Sequence, residues 1–180
     1  MRLPDISKKT VKLRVQYLSL IGHMARIDGR FDQKEKALLR KMVAQFKISE
    51  KYTNEIFAEH LFDDQKIQEV FIDLKNNKLH HSFILDLIAM AIADGVILEE
   101  ERMMLSQIAE LIGLNHEEFH KLINFAQAAS SLSDNEHNDP MFQYSIDMFF
   151  QWARQKDVKL YKQTTFALNE KVDDYLKTDL

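Results

Sequence analysis

Apolar residues recur at three- and four-residue spacing along most of this chain, the mark of amphipathic helices. Val11, Val15, Leu18, Ile21 and Ala25 predict a first helix over about Ser7–Ile27. Asp28-Gly29 ends it, with Gly suited to the left-handed conformation common after a last turn. A second helix starts at Asp32, where Asp32 and Glu35 form a D-x-x-E capping arrangement, and Leu38, Leu39, Met42 and Phe46 face inward. Ser49 is suited to cap a third helix with Tyr52, Ile56 and Phe57 inside. Asp63-Asp64 opens a fourth with Ile67, Val70, Phe71 and Leu74. After the polar turn Lys75–Lys78, Phe83, Ile84, Leu87, Ile88 and Ala91 mark a fifth helix that runs up to Asp94-Gly95. A sixth spans about Glu99–Ile112, stopped by Gly113, and Asn115 caps a seventh.

Two stretches of this pattern match each other at a constant offset of 66 residues. Asp28-Gly29 with Glu35 is repeated as Asp94-Gly95 with Glu101, and Met24-Ala25 as Met90-Ala91. Leu38-Leu39 matches Met104-Leu105, Phe46 matches Ile112 and Ile48 matches Leu114. A fixed offset of this kind defines architecture. It predicts an all-α fold of eight or nine helices built from duplicated helix-turn-helix units, with residues around 11–57 equivalent to those around 77–123. The expected division is a duplicated helical domain over 1–130 and a C-terminal helical extension over 131–180. Residues 130–140 read as a polar linker. Pro140 suits the first turn of an eighth helix carrying Phe142, Ile146, Phe149, Phe150 and Ala153 on one side. A last helix over roughly Lys159–Lys177 would complete a hairpin that packs on the domain or forms a homodimer contact.

Composition narrows the class. An apolar content of 46% over 180 residues can build a core without staples, and four Gly and two Pro favour long helices over a turn-rich β fold. The absence of Cys excludes disulfides, thiolate metal sites and cysteine nucleophiles. No signal peptide is predicted, since Met1–Thr10 is polar. No run of about 18 apolar residues exists, so no direct membrane insertion is expected. A net charge of −4 with interspersed signs argues against a nucleic-acid partner.

The candidate chemistry lies in the repeated turn. An Asp at a helix C-terminus faces unpaired carbonyls and the negative end of the helix dipole, so it needs a compensating partner. The N–H groups of the next helix are one such partner, which makes the turn a structural clip. A divalent cation shared with the Glu one helical turn further on is the other. The offsets of Gly29, Phe31 and Glu35, and of Gly95, Ile97 and Glu101, match the sixth, eighth and twelfth positions of an EF-hand loop. The first and third positions would fall on Met24 and Arg26, and on Met90 and Ile92, none of which supplies a carboxylate, so neither turn is an EF-hand. The candidate metal ligands are Asp28, Glu35, Asp94 and Glu101, an oxygen-only set that selects Ca²⁺, Mg²⁺ or Mn²⁺. The copies differ at one place: Asp32 is matched by Leu98, a poor helix cap.

His116-Glu117-Glu118-Phe119-His120 matches H-E-x-x-H, the pattern of zinc hydrolases. Its position in the first turn of a helix, the charged Glu118 and the lack of a third downstream ligand argue against zinc. His80-His81 reads as a solvated helix start, and Trp152 with the Phe-rich side of the eighth helix as core or interface. No phosphate-binding loop, dinucleotide fingerprint or nucleophile elbow occurs, so no enzyme activity is expected.

The segments Met24–Glu35 and Met90–Glu101 resemble the TerB family of bacterial tellurite-resistance-associated proteins, over roughly Val11–Ala128. A similar helical module forms the N-terminal part of the membrane-anchored DnaJ-like co-chaperone DjlA. The resemblance implies a cytoplasmic helical domain with paired acidic turns, proposed to bind a divalent cation and to work with protein partners in stress-response assemblies. By motif match it carries the cation role to Asp28, Glu35, Asp94 and Glu101. It implies a non-catalytic interaction module, with a co-chaperone-associated module as the alternative. A His-Pro-Asp motif and an anchor, the marks of that alternative, are missing from this sequence.

Overall fold

Helix is the regular structure throughout the computed structural model, which describes residues 3–27, 29, 31–58, 62–93, 96–130 and 140–164, with backbone alone at 142 and 143. The helices are α1 (Val11–Met24), α2 (Gln33–Gln45), α3 (Glu50–Phe57), α4 (Asp64–Asn76), α5 (His80–Ile92), α6 (Glu99–Leu111), α7 (His116–Ser130) and α8 (Pro140–Gln155). A short 3₁₀ turn, Ile6–Lys8, precedes them. Among the described residues there is no strand.

Local chemistry explains the boundaries. The expected first helix is divided at its start: Asp5 caps the 3₁₀ turn, and Thr10 Oγ1 then accepts the Leu13 N–H at 3.3 Å to begin α1. The regular part of α1 stops at Met24, earlier than the pattern predicted. Beyond Ala25, bonds from Arg26 N–H to His23 O and from Ile27 N–H to Met24 O tighten the chain into 3₁₀ geometry. Gly29 takes φ +76°, the conformation predicted for it.

The helix ends of α2 and α6 are built alike. Lys47 and Gly113, 66 residues apart, both have positive φ, +52° and +95°. The following residues close the same wide turn, Ile48 N–H to Val43 O at 3.2 Å and Leu114 N–H to Ala109 O at 2.8 Å. This is the Schellman closure of a helix C-terminus. Lysine in the left-handed conformation carries a steric cost that glycine avoids. Arg14 offsets it in the first copy by donating from Nη1 to Phe46 O and, at 3.1 Å, to Lys47 O. A guanidinium there also meets the negative end of the α2 dipole.

α1 and α5 are the two central helices. α1 packs on α2, α3, α4 and α5, and α5 packs on α1, α4, α6 and α7. α5 is buried at every position from His81 to Met90, which suits an axis surrounded on all sides. Tyr17 of α1 and Phe83 of α5, matched at the 66-residue offset, meet edge-to-face at 5.3 Å where the helices pack. α8 lies on α7, with the Phe125 and Phe149 rings stacked at 4.0 Å and Trp152 tilted against Phe149 at 5.6 Å. The apolar side predicted for α8 is thus buried core at Ile146, Phe149, Phe150 and Ala153.

Residues 159–163, expected to begin a last helix, instead run as irregular backbone and a turn. Their polar groups find partners outside a helix. Lys162 N–H bonds Pro4 O at 3.1 Å, Gln163 Oε1 accepts the Ile6 N–H at 3.0 Å, and Tyr161 N–H bonds Ser82 Oγ at 3.2 Å. The remainder of that expected helix, 165–177, and most of the expected linker, 131–139, lie outside the described residues.

Candidate functional site

The α1–α2 and α5–α6 connections decide where the acids sit. Glu35 is the third residue of α2 and Glu101 the third residue of α6, so both side chains reach back toward their helix starts. Glu35 accepts the Asp32 N–H at 2.8 Å while Asp32 Oδ1 accepts the Glu35 N–H at 2.9 Å, a complete capping box. Glu101 accepts the Leu98 N–H at 2.8 Å, but a leucine side chain has no acceptor to return, so this box is half made. Restoring the second half by Leu98→Asp should stabilise the protein by about 0.5–2 kcal/mol. A urea midpoint that does not rise would show that Glu101 alone satisfies this helix start.

Glu35 and Glu101 line one recess, together with the repeated pair Met24-Ala25 and Met90-Ala91. The 66-residue repeat thus brings its equivalent acids to one place. The cavity is about 30 Å³. That is room for a water-sized species, since one water needs at least about 10–15 Å³, and far below the roughly 300–1,000 Å³ of an organic ligand site. Each carboxylate sits at the positive end of its own helix dipole, which supports two anionic groups facing the same space. Asp28 and Asp94, the other two predicted ligands, lie outside the described residues. Among the described residues no group of three or more His, Asp or Glu is arranged to hold a metal. Two carboxylates, each with one oxygen accepting a cap N–H, fall short of a full protein cage for a cation.

Two expectations about histidine and acid resolve differently. His81 is buried, not solvated, and its Nε2 lies 3.3 Å from Glu118 across the α5–α7 packing. Burial lowers the His81 pKa, against the opposing effect of Glu118. Burial also pushes His80 down to about 4, helped by the charges of His81 and Lys75. Glu118 makes a capping box with Asn115 as well, at 2.8 and 3.0 Å. Glu118, at a variable position of the H-E-x-x-H match, is therefore a structural residue. His116 and His120 stack edge-to-face at 4.2 Å one turn apart, without a third ligand among the described residues.

The sequence reading missed the most buried polar pair. Tyr17 Oη donates to Asp86 Oδ2 at 2.6 Å, with Tyr17 fully buried and Asp86 1% exposed. Asp86 Oδ1 has no hydrogen-bond partner among the described residues. Burial pushes the Asp86 carboxyl well above the usual carboxylate range. Burial and the adjacent Asp86 likewise raise the Tyr17 phenol. The signal was present: Asp86 is the one charge inside the apolar run from Phe83 to Ile92.

A larger cleft of about 290 Å³ lies between the N-terminal segment and the end of α8. Its charged lining is Arg154, Asp157 and Lys159, and Asp157 bridges Lys78 at 2.8 Å and Lys159 at 2.6 Å. That arrangement ties segments together and gathers no acid–base pair.

Of the four predicted acids, the two in the described residues, Glu35 and Glu101, thus line one recess beside α1 and α5. The model of the tellurite resistance protein TerB family matches residues 14–124, more than half of the chain. The chain belongs to the TerB family. The match takes in α2–α6, most of α1 and of α7, and both acidic turns, and it ends before α8. No curated protein and no solved structure matches the chain. No helix among the described residues is long and apolar enough to cross a membrane.

Proposed function

We propose that this TerB-family chain is a non-catalytic interaction module that takes a hard divalent cation between its two acidic turns. It works through protein partners in a bacterial stress-response assembly of the tellurite-resistance kind. The observation that carries the reading is the convergence of Glu35 and Glu101 on one recess of about 30 Å³. A space of that size admits a single small ion or water and leaves no room for a substrate. Its two charged lining residues, Glu35 and Glu101, are hard oxygen donors, which match Mg²⁺, Ca²⁺ or Mn²⁺, among otherwise apolar side chains. The same two acids also cap α2 and α6, so the competing reading is that capping is their whole role.

Thermal melts separate the two. A site with a Kd of about 10⁻³ M, as in weak extracellular calcium modules, should gain about 1.4 kcal/mol at a tenfold excess of cation. Glu35→Gln and Glu101→Gln keep an oxygen that accepts the cap N–H while removing the charge. Each should fold normally and lose the cation-dependent rise in Tm. Identical wild-type melts with and without about 10 mM Mg²⁺ or Ca²⁺ would leave the acids as caps alone.

A further inference from the structure

α2 and α6 occupy matching places in the two halves of the duplicated core, yet they carry opposite charge. α2 (QKEKALLRKMVAQ) has four cations and one anion, net +3. α6 (EEERMMLSQIAEL) has one cation and four anions, net −3. The contrast is concentrated on the outer faces. Lys34, Ala37, Lys41 and Ala44 are all exposed on α2, and the positions 66 residues later, Glu100, Met103, Gln107 and Glu110, are all exposed on α6. Spacings of three, four and three residues put each set on one stripe of its helix. One stripe alternates Lys with a small residue. The other carries acids at its ends and a 57%-exposed Met in between. Both stripes are exposed to solvent.

The neighbourhood of α6 adds a second anomaly. Leu98, its N-cap, gives no side-chain cap and is 47% exposed, and Val96 is 73% exposed. Apolar side chains at a helix start that favours Asp or Ser break a local rule. Buried against another surface they would gain contact area.

We propose that the outer stripes of α2 and α6 are the two halves of one self-association surface, α2 of one copy lying against α6 of a second copy. Lysines then face glutamates, and Met103 and Leu98 rest on the low alanine ridge of α2. Because one chain carries both halves, two contacts made around a two-fold axis close a dimer, and a single contact repeated head-to-tail makes longer chains. Two helices of this length offer a modest area, and exposed ion pairs are weak individually, so the association is expected to be salt-sensitive and reversible.

Sedimentation equilibrium on the full chain tests this. The wild type should associate at low ionic strength and shift to monomer at high ionic strength. Lys34→Glu with Lys41→Glu makes both stripes acidic, and Glu100→Lys with Glu110→Lys makes α6 basic beside the basic α2. Each double variant alone should be monomeric. An equimolar mixture of the two should associate again, since each reversed helix then meets its complement. Circular dichroism melts check that each variant folds, and Lys41→Gln and Glu110→Gln, with milder changes, should show partial weakening in any case. A wild type that stays monomeric at low salt, variants that associate as the wild type does, or a mixture that stays apart would each overturn the proposal. The first of these outcomes would assign the stripes to other proteins.

Discussion

Truncation of Phe83 to alanine should destabilise the protein by about 3–5 kcal/mol, the cost of removing a large aromatic ring from a site that cannot collapse. Phe83 is fully buried and meets Tyr17 at 5.3 Å and Phe71 at 6.2 Å. It therefore joins α5 to both α1 and α4, which also pack on each other. Relaxation on one side would open a gap on another, so the cavity should persist. Urea unfolding of Phe83→Ala beside Met141→Ala supplies the contrast. Met141 is also a large apolar side chain but is 71% exposed, and its removal should change stability by less than about 0.5 kcal/mol. Equal losses at the two sites would mean that the central packing of α1 on α5 is not where the stability lies.

The second large effect concerns Asp86, and its sign follows from linkage. Burial raises the native carboxyl pKa well above the carboxylate range, while the unfolded chain keeps the ordinary value of about 3.9. Above that value the unfolded state loses the proton and the native state keeps it. The stabilisation is then complete below about pH 4 and is lost as pH rises toward the native pKa, at about 1.4 kcal/mol per unit. Asp86→Asn keeps the shape and accepts the Tyr17 hydroxyl but cannot ionise. Its stability relative to the wild type should climb with that slope from about pH 4 upward. The comparison between the two proteins is needed because His80 works in the opposite sense. Its native pKa is held down at about 4 by burial, so its contribution is complete above the unfolded value of 6.5 and is lost as pH falls toward 4. The wild-type curve alone would mix the two. A difference curve that stays flat from pH 4 to pH 8 would show that Asp86 ionises in the folded state as easily as in the unfolded one.

Asp86 also shows why the candidate chemistry was only partly legible. A lone acid in an apolar run is visible in the sequence, yet its partner Tyr17 is 69 residues away on a different helix, and no spacing rule connects them. His81 and Glu118 are similar. Each looked like an ordinary residue of a helix start, and the packing of α5 on α7 is what pairs them and removes His81 from water. By contrast, the capping roles of Asp32 and Glu35 were readable, because a capping box is closed within four consecutive residues.

The helices themselves followed from the chain. Apolar spacing marked α1–α8, and Asp32, Asp63 and Asn115 cap α2, α4 and α7 as predicted, whereas Ser49 stands at the start of α3 without the predicted side-chain cap bond. The 66-residue offset placed Lys47 and Gly113 at equivalent helix ends, with the same closure in both. These are local matters, decided by side chains acting on backbone within a turn or two. The course of residues 159–164 was not local. Their sequence allows an α-helix, but the Pro4, Asp5 and Ile6 segment and Ser82 offer partners that hold the chain in another course. The meeting of Glu35 with Glu101 was of the same kind. Sequence alone determined that each acid would stand in the first turn of its helix, because capping is short-range. Only the tertiary structure decided that the two would share one recess, because the packing of α1 on α5 sets the distance between the halves.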